Sequence, residues 1–203
     1  MKLLLQKKIL KSSYNLLCFF FFGVLFCLSC APSYSQTKVL GVESTQNNVL
    51  DASKNAKSHS NMGNIYFEEK NYVAAIKEYE IAYNLAPNTR LASTYLYNIS
   101  RCYMVIQRYD LAYKALLGAI SKDYMNITYY SALADCAIAL GNTQNEIKKL
   151  NTDTKNPYNK ITVGMIYLKT GKIREAKTIF DDFIAKNPDN IMSDDIKQIF
   201  KNL

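Results

Sequence analysis

Hydrophobic and polar positions divide the chain into a charged-then-apolar start, a polar stretch and a long periodic remainder. Met1 to Lys11 carries Lys2, Lys7, Lys8 and Lys11 and no acidic residue, and Leu16 to Leu28 is then apolar apart from Gly23. Such a run fits the core of an export signal, about 7–15 residues, and falls short of the roughly 20 that a spanning helix needs. Ala31 to about Ser58 is rich in Ser, Gln, Asn, Thr and Lys. Its Val39-Leu40 and Val49-Leu50 pairs are too sparse to build a core, so the segment reads as a tether.

From about residue 56 the apolar residues recur at helical spacing in similar blocks. Gly63, Ser100, Ala134 and Gly164 occupy one equivalent small position, and Tyr66, Tyr103 and Tyr167 follow it by three residues, on the same helical face. Ala75, Ala112 and Ala176 mark a second helix in each block, where a small side chain lets backbones approach closely. Lys70-Asn71, Gln107-Arg108, Gly141-Asn142 and Gly171-Lys172 interrupt the periodicity between the two helices of a block, and Pro87 and Pro188 end second helices. The small positions are 37, 34 and 30 residues apart. The long first interval places extra residues around Asn88–Ala92. The short last one truncates the third block, where Ile147 and Leu150 are the only apolar residues of Asn142–Asp153 and Glu146 replaces the expected Ala. A short helix from about Thr143 to Asn151 is predicted there, then a loop through Pro157, as the least stable part of the array.

Past Pro188, Ser193 is expected to cap a last helix with Asp194 and Asp195 at its positive end. Ile196, Ile199, Phe200 and Leu203 share its apolar face, which would cover the flank of the last block.

These residues resemble the tetratricopeptide repeat, a helix–turn–helix unit of about 34 residues. Met62-Gly63-Asn64-Ile65-Tyr66 with Ala75, Tyr79, Ala82 and Pro87 forms one copy. Ile99-Ser100-Arg101-Cys102-Tyr103 with Ala112, Leu116 and Ala119 forms a second, with Tyr124 where Pro would fall. Val163-Gly164-Met165-Ile166-Tyr167 with Gly171, Ala176, Phe180 and Pro188 forms a late copy, and Leu133-Ala134-Asp135-Cys136-Ala137 with Leu140-Gly141 keeps a first-helix half only. The resemblance implies an all-α helical-hairpin solenoid with repeats at 56–89, 93–126, 127–156 (degenerate) and 157–190, and a capping helix at 191–203.

The resemblance also implies that first helices line a concave groove for an extended peptide or a partner helix. Asn64, Tyr97, Asn98, Arg101, Thr128, Ser131, Asp135, Ile161 and Met165 would line it, with Arg101 and Asp135 able to pair across adjacent helices. Asn64 and Asn98 match two asparagines of the family's carboxylate clamp, but Ser60, Thr128 and Ala132 fill the places of its basic partners. Ordinary groove residues are therefore the expected reading of both asparagines.

Cys27-Leu28-Ser29-Cys30 resembles a bacterial lipobox, which would make Cys30 an acylated N-terminus, 1–29 a lipoprotein signal peptide and 30–55 the tether. The small Ser29 fits; Cys27 stands where Leu is usual. Ordinary secretory cleavage near Ala31 and an uncleaved anchor are the alternatives.

Composition narrows the rest. The formal charge is +8, but four lysines lie in the leader, so residues 30–203 hold 21 basic against 17 acidic side chains, dispersed without a basic stripe that would suit nucleic acid. The single histidine, His59, stands where the repeat family often has Trp and is expected to pack; one histidine supports neither a multi-His metal site nor a paired nucleophile. Cys102 and Cys136 read as small buried hydrophobes. No cofactor or metal is expected, and not an enzyme. The expected function is a membrane-anchored adaptor or scaffold in the bacterial cell envelope, binding another envelope protein or peptide segment and the membrane through acyl chains. The alternatives are a self-associating structural protein and, last, an envelope enzyme.

Overall fold

The computed structural model describes residues 33–153 and 156–201. Cys30 and the leader lie outside the described residues, as does Leu203 of the terminal apolar face. The chain divides into two compact units, Met1–Leu50 and Asp51–Leu203. The described residues form nine α-helices and no strand: α1 Ser33–Glu68, α2 Tyr72–Leu85, α3 Leu91–Val105, α4 Tyr109–Lys122, α5 Ile127–Ala139, α6 Thr143–Thr152, α7 Asn159–Lys169, α8 Ile173–Lys186 and α9 Ile191–Lys201. None of them is long and apolar enough to cross a membrane.

The expected tether is thus helical from Ser33 onward. Its composition provides no core, but no proline lies between Ser33 and Glu68, and propagating a helix costs far less than nucleating one.

From Asp51 onward the unit is a solenoid of antiparallel helix pairs: α1/α2, α3/α4, α5/α6 and α7/α8, closed by α9. The break between the helices of each pair has a common geometry. Lys70, Gln107, Gly141 and Gly171 adopt φ values of 61°, 59°, 71° and 78°. Each lies seven residues after the small position of its own first helix. At three of these breaks the next N–H reverses onto the tyrosine carbonyl: Asn71 to Tyr66, Arg108 to Tyr103 and Lys172 to Tyr167, each at 2.8 Å. This is the bond that closes a helix on a left-handed residue. Asn71 then caps α2, its Oδ1 accepting from the Ala74 N–H at 3.3 Å.

Small residues set the packing distance within each pair. A Cβ on Gly63 would sit 2.7 Å from Tyr79 Cε1, and one on Gly164 would sit 2.6 Å from Phe180 Cε1. Tyr79 and Phe180 are fully buried, so neither ring has room to retreat. Where the small residue is Ser100, the second helix carries Leu116 in place of a ring, and Ser100 Oγ donates to the Tyr97 carbonyl at 2.6 Å. Ala75, Ala112 and Ala176 are fully buried as well.

The third pair is the irregular one. Helix α6 buries only Ile147, and its main tie to the preceding pair is the hydrogen bond donated by the Tyr113 hydroxyl to Glu146 Oε1. That bond and burial push the Tyr113 phenol well above its usual range, burial being the larger cause. Tyr158 reaches into the space the short helix leaves, with ring centroids 5.1 Å from Tyr124 and 6.1 Å from Phe183. An open cleft of about 500 Å³ remains, lined by Leu117, Ile120, Ser121, Tyr124, Asn156 and Tyr158.

The terminal helix starts earlier than its serine suggests. Asn190, not Ser193, is the cap: its Oδ1 accepts from the Met192 N–H at 3.0 Å. Ser193 is buried in the first turn, donating to the Asn187 carbonyl at 2.6 Å. The earlier start places Met192 above Ile196 on the inward face, and both are fully buried.

Candidate functional site

The register of the repeats builds the candidate surface row by row. Ser60, Tyr97, Ser131 and Ile161 occupy equivalent places in α1, α3, α5 and α7. One turn further along stand Asn64, Arg101, Asp135 and Met165, then Phe67, Met104, Ile138 and Leu168. Over α1, α3 and α5 these rows remain open except at the buried Ser60. Asn64, Thr128 and Asp135 are exposed, and Tyr97, Asn98, Arg101 and Ser131 are half-buried.

Each open residue has a defined setting. The Tyr79 hydroxyl, rising from the core below, donates to Asn64 Oδ1 at 2.7 Å, which orients the carboxamide. Burial pushes the Tyr79 phenol up to about 12, so it remains a donor at neutral pH. Tyr97 leans across to α5, its ring centroid 5.2 Å from that of Tyr129, whose hydroxyl donates to Ser93 Oγ at 3.2 Å. The Arg101 guanidinium lies 4.5 Å above the Phe67 ring on α1, an attraction worth about 0.5–1 kcal/mol where water still reaches it. It makes no ion pair among the described residues, and Asn98 makes no side-chain hydrogen bond among them.

Two expectations about these residues fail. Arg101 and Asp135 do not pair with each other; Asp135 instead meets Lys169 of α7 at 2.8 Å, and Arg101 turns the other way, onto Phe67. Ile161 and Met165 are 0 % and 2 % exposed, so they present nothing to a ligand. Helix α7 packs against α5, α6 and α8, and residues 161–166 are all buried. The open surface therefore ends at the Asp135–Lys169 pair. Phe67 and Lys169 belong to the site and were not singled out from sequence. Phe67 was findable, because it lies three residues beyond Asn64.

The basic partners of a carboxylate clamp are absent in space as in sequence: Ser60 and Ala132 are buried, and Thr128 is exposed but uncharged. His59 meets the next helix, as expected, but through a polar contact: its Nδ1 lies 2.7 Å from Glu78 Oε2 on α2. Cys102 and Cys136 are free and fully buried, and burial pushes both thiols up to about 11. Among the described residues no group of three His, Cys, Asp or Glu side chains could hold a metal ion. What the open face offers is an aromatic floor, two carboxamides and a guanidinium with no ion pair among the described residues, a set suited to the backbone and the carboxylates of an extended chain.

Comparison with known proteins finds the repeat in two parts of the chain. Residues 56–89 match a family model described as tetratricopeptide repeat, and residues 163–190 match a second model of the same description. The chain thus carries tetratricopeptide repeats at both ends of its array. No curated protein matches. Among solved structures, the chain is similar to the first tetratricopeptide-repeat domain of Spaghetti (RPAP3) bound to an HSP90 peptide, at 18% identity over 74% of this chain and 94% of that one, with a TM-score of 0.42. It is similar to MamA, at 18% identity over 66% of this chain and 74% of that one, with a TM-score of 0.46. It is also similar to a tetratricopeptide repeat protein from Parabacteroides merdae ATCC 43184, at 17% identity over 69% of this chain and 56% of that one, with a TM-score of 0.47.

Proposed function

We propose that the chain is a lipid-anchored adaptor of the bacterial cell envelope, whose first-helix face over α1, α3 and α5 holds an extended segment of another envelope protein. The observation that carries the binding half is Arg101. A half-buried guanidinium with no acidic partner among the described residues, held over Phe67 on the face that also carries Asn64 and Asn98, is a cation held ready for a group from outside. A carboxylate on the partner, an Asp or Glu side chain or a chain end, is the matching chemistry. The carboxamides of Asn64 and Asn98 can bond the partner's backbone on either side. The bound segment is short, because the open face spans three first helices.

The anchoring half rests on the leader and on Cys30. A charged start, a short apolar run and a small residue before a cysteine fit acylation, and two or more acyl chains would hold the folded part stably at a membrane. A Cys30→Ser chain should move from the membrane to the soluble fraction of cells; continued sedimentation with membranes overturns acylation as the anchor.

A photo-crosslinker placed at Tyr97 in intact cells tests the binding half. It should capture one defined partner, and Arg101→Ala should reduce that capture by about tenfold, as loss of a charge-assisted contact predicts. Equal capture with and without Arg101 overturns the groove as the binding face.

A further inference from the structure

One flank of the array is bare where every later unit is covered. In α3, α5 and α7 the residue just before the small position and the residue two after it are buried against the preceding unit. Ile99, Leu133 and Val163 are 5 %, 2 % and 0 % exposed at the first place, and Cys102, Cys136 and Ile166 are fully buried at the second. The same places in α1 are Met62 and Ile65, which are 44 % and 52 % exposed. Among the described residues, the closing helix at the other end exposes one large apolar side chain, Ile191. There α9 turns Met192 and Ile196 inward and shows solvent a Lys197–Asp194 pair at 2.9 Å. The two ends therefore do not match as the head and tail of a stack would. A contact between like flanks instead requires a two-fold axis.

The residues along the flank are arranged for that. Lys54, Ser58, Met62, Ile65 and Glu69 lie at spacings of four, four, three and four, on one face of the helix, and all five are exposed. Glu69 continues the helical turn, its N–H donating to the Ile65 carbonyl at 3.0 Å. Read backwards, this row complements itself. Antiparallel alignment about a point between Asn61 and Met62 sets Lys54 opposite Glu69 of the second copy and Ser58 opposite its Ile65, with the two Met62 side chains at the axis. Neither Lys54 nor Glu69 makes an ion pair among the described residues.

We propose that α1 is a homodimerisation surface, on which a second copy packs antiparallel through Met62 and Ile65 and is registered by two Lys54–Glu69 pairs. The row lies well around the helix from Asn64, so the dimer leaves the groove open and does not rest on the function proposed above. The flank is one hairpin wide, at or below the roughly 800 Å² per partner of a standard stable interface, so association in about the micromolar range is expected.

Sedimentation equilibrium on the full chain, from roughly 1 µM to 1 mM, should show a monomer–dimer equilibrium. Lys54→Glu alone and Glu69→Lys alone should each weaken it by about tenfold or more, because each sets like charges face to face across the axis. The double exchange Lys54→Glu with Glu69→Lys should restore it, which no misfolded variant would do. Met62→Glu should give a monomer with an unchanged melting temperature. A monomer over the whole range overturns the proposal. So does association that neither single exchange weakens, that the double exchange fails to restore, or that Arg101→Ala abolishes instead.

Discussion

At the scale of single residues, the array depends on what its small positions leave out. Gly63 and Gly164 lie under the rings of Tyr79 and Phe180, and any Cβ would stand within 2.7 Å of a ring atom that has nowhere to go. Gly63→Leu and Gly164→Leu should each cost about 1–3 kcal/mol or more, read as a lower urea midpoint. An unchanged midpoint in both would mean that the helix pairs are not packed as described. This much was legible in the sequence, because a glycine three residues before a tyrosine and a dozen before an alanine is a local pattern with one packing solution. The burial of Ile161 and Met165 was not legible. By register they belong to the groove rows, and only the enclosure of α7 by three neighbouring helices takes them out of it. The start of α9 was ambiguous for a similar reason. Asn190 and Ser193 are both good caps, and the buried Met192 decides between them.

At the scale of elements, the pairs differ in how firmly they are held. Lys160 of α7 and Lys186 of α8 both donate to Asp182 on α8, at 2.7 Å each, and these bonds hold its carboxyl down at about 2, below an ordinary 3.8. The sign follows: what the carboxylate contributes to the native state is in place above about pH 3.8 and is lost as pH falls toward 2. A carboxyl resonance of Asp182 should still report the ionised form at about pH 3, and Asp182→Asn should flatten the acid limb of the stability curve there. A carboxyl titrating in the ordinary range would show the two lysines to be mobile in solution. Helix α6 is the opposite case, with Ile147 as its one buried residue and Glu146 bonded to Tyr113. Glu146→Ala should therefore raise amide exchange across residues 143–152 while leaving α3 and α4 protected. Simultaneous loss of protection everywhere would mean that the third pair does not open on its own. The truncation behind this weakness was visible in the 30-residue interval, and so was the short helix. The use of Tyr158 to fill the gap was not, because it sits in a connection with no periodicity to read.

At the scale of the whole array, stability is a sum over neighbours, and the two ends are treated unequally. Met192 and Ile196 are fully buried by the closing helix, each worth about 1.5–3 kcal/mol when taken from water. Ending the chain after Asn190 should thus cost about 3 kcal/mol or more and expose a surface that promotes aggregation, measurable as a lower unfolding midpoint and as turbidity. A truncated chain as stable as the original would show α9 to be dispensable. Among the described residues the opposite end carries no such closure, and its exposed Met62 and Ile65 are the reason a second copy is the expected cover.

The seven residues from each small position to its left-handed turn are the same in all four pairs, although the pairs recur at unequal intervals. The chain thus keeps a fixed ruler inside every first helix and absorbs its irregularities in the stretches between rulers. Deleting one residue between Gly63 and Lys70 would rotate the helix end by about 100° and misaim everything after it. A reporter spliced beside Asn88, between two such gauges, would leave each of them intact, which makes that connection the place to fit a label.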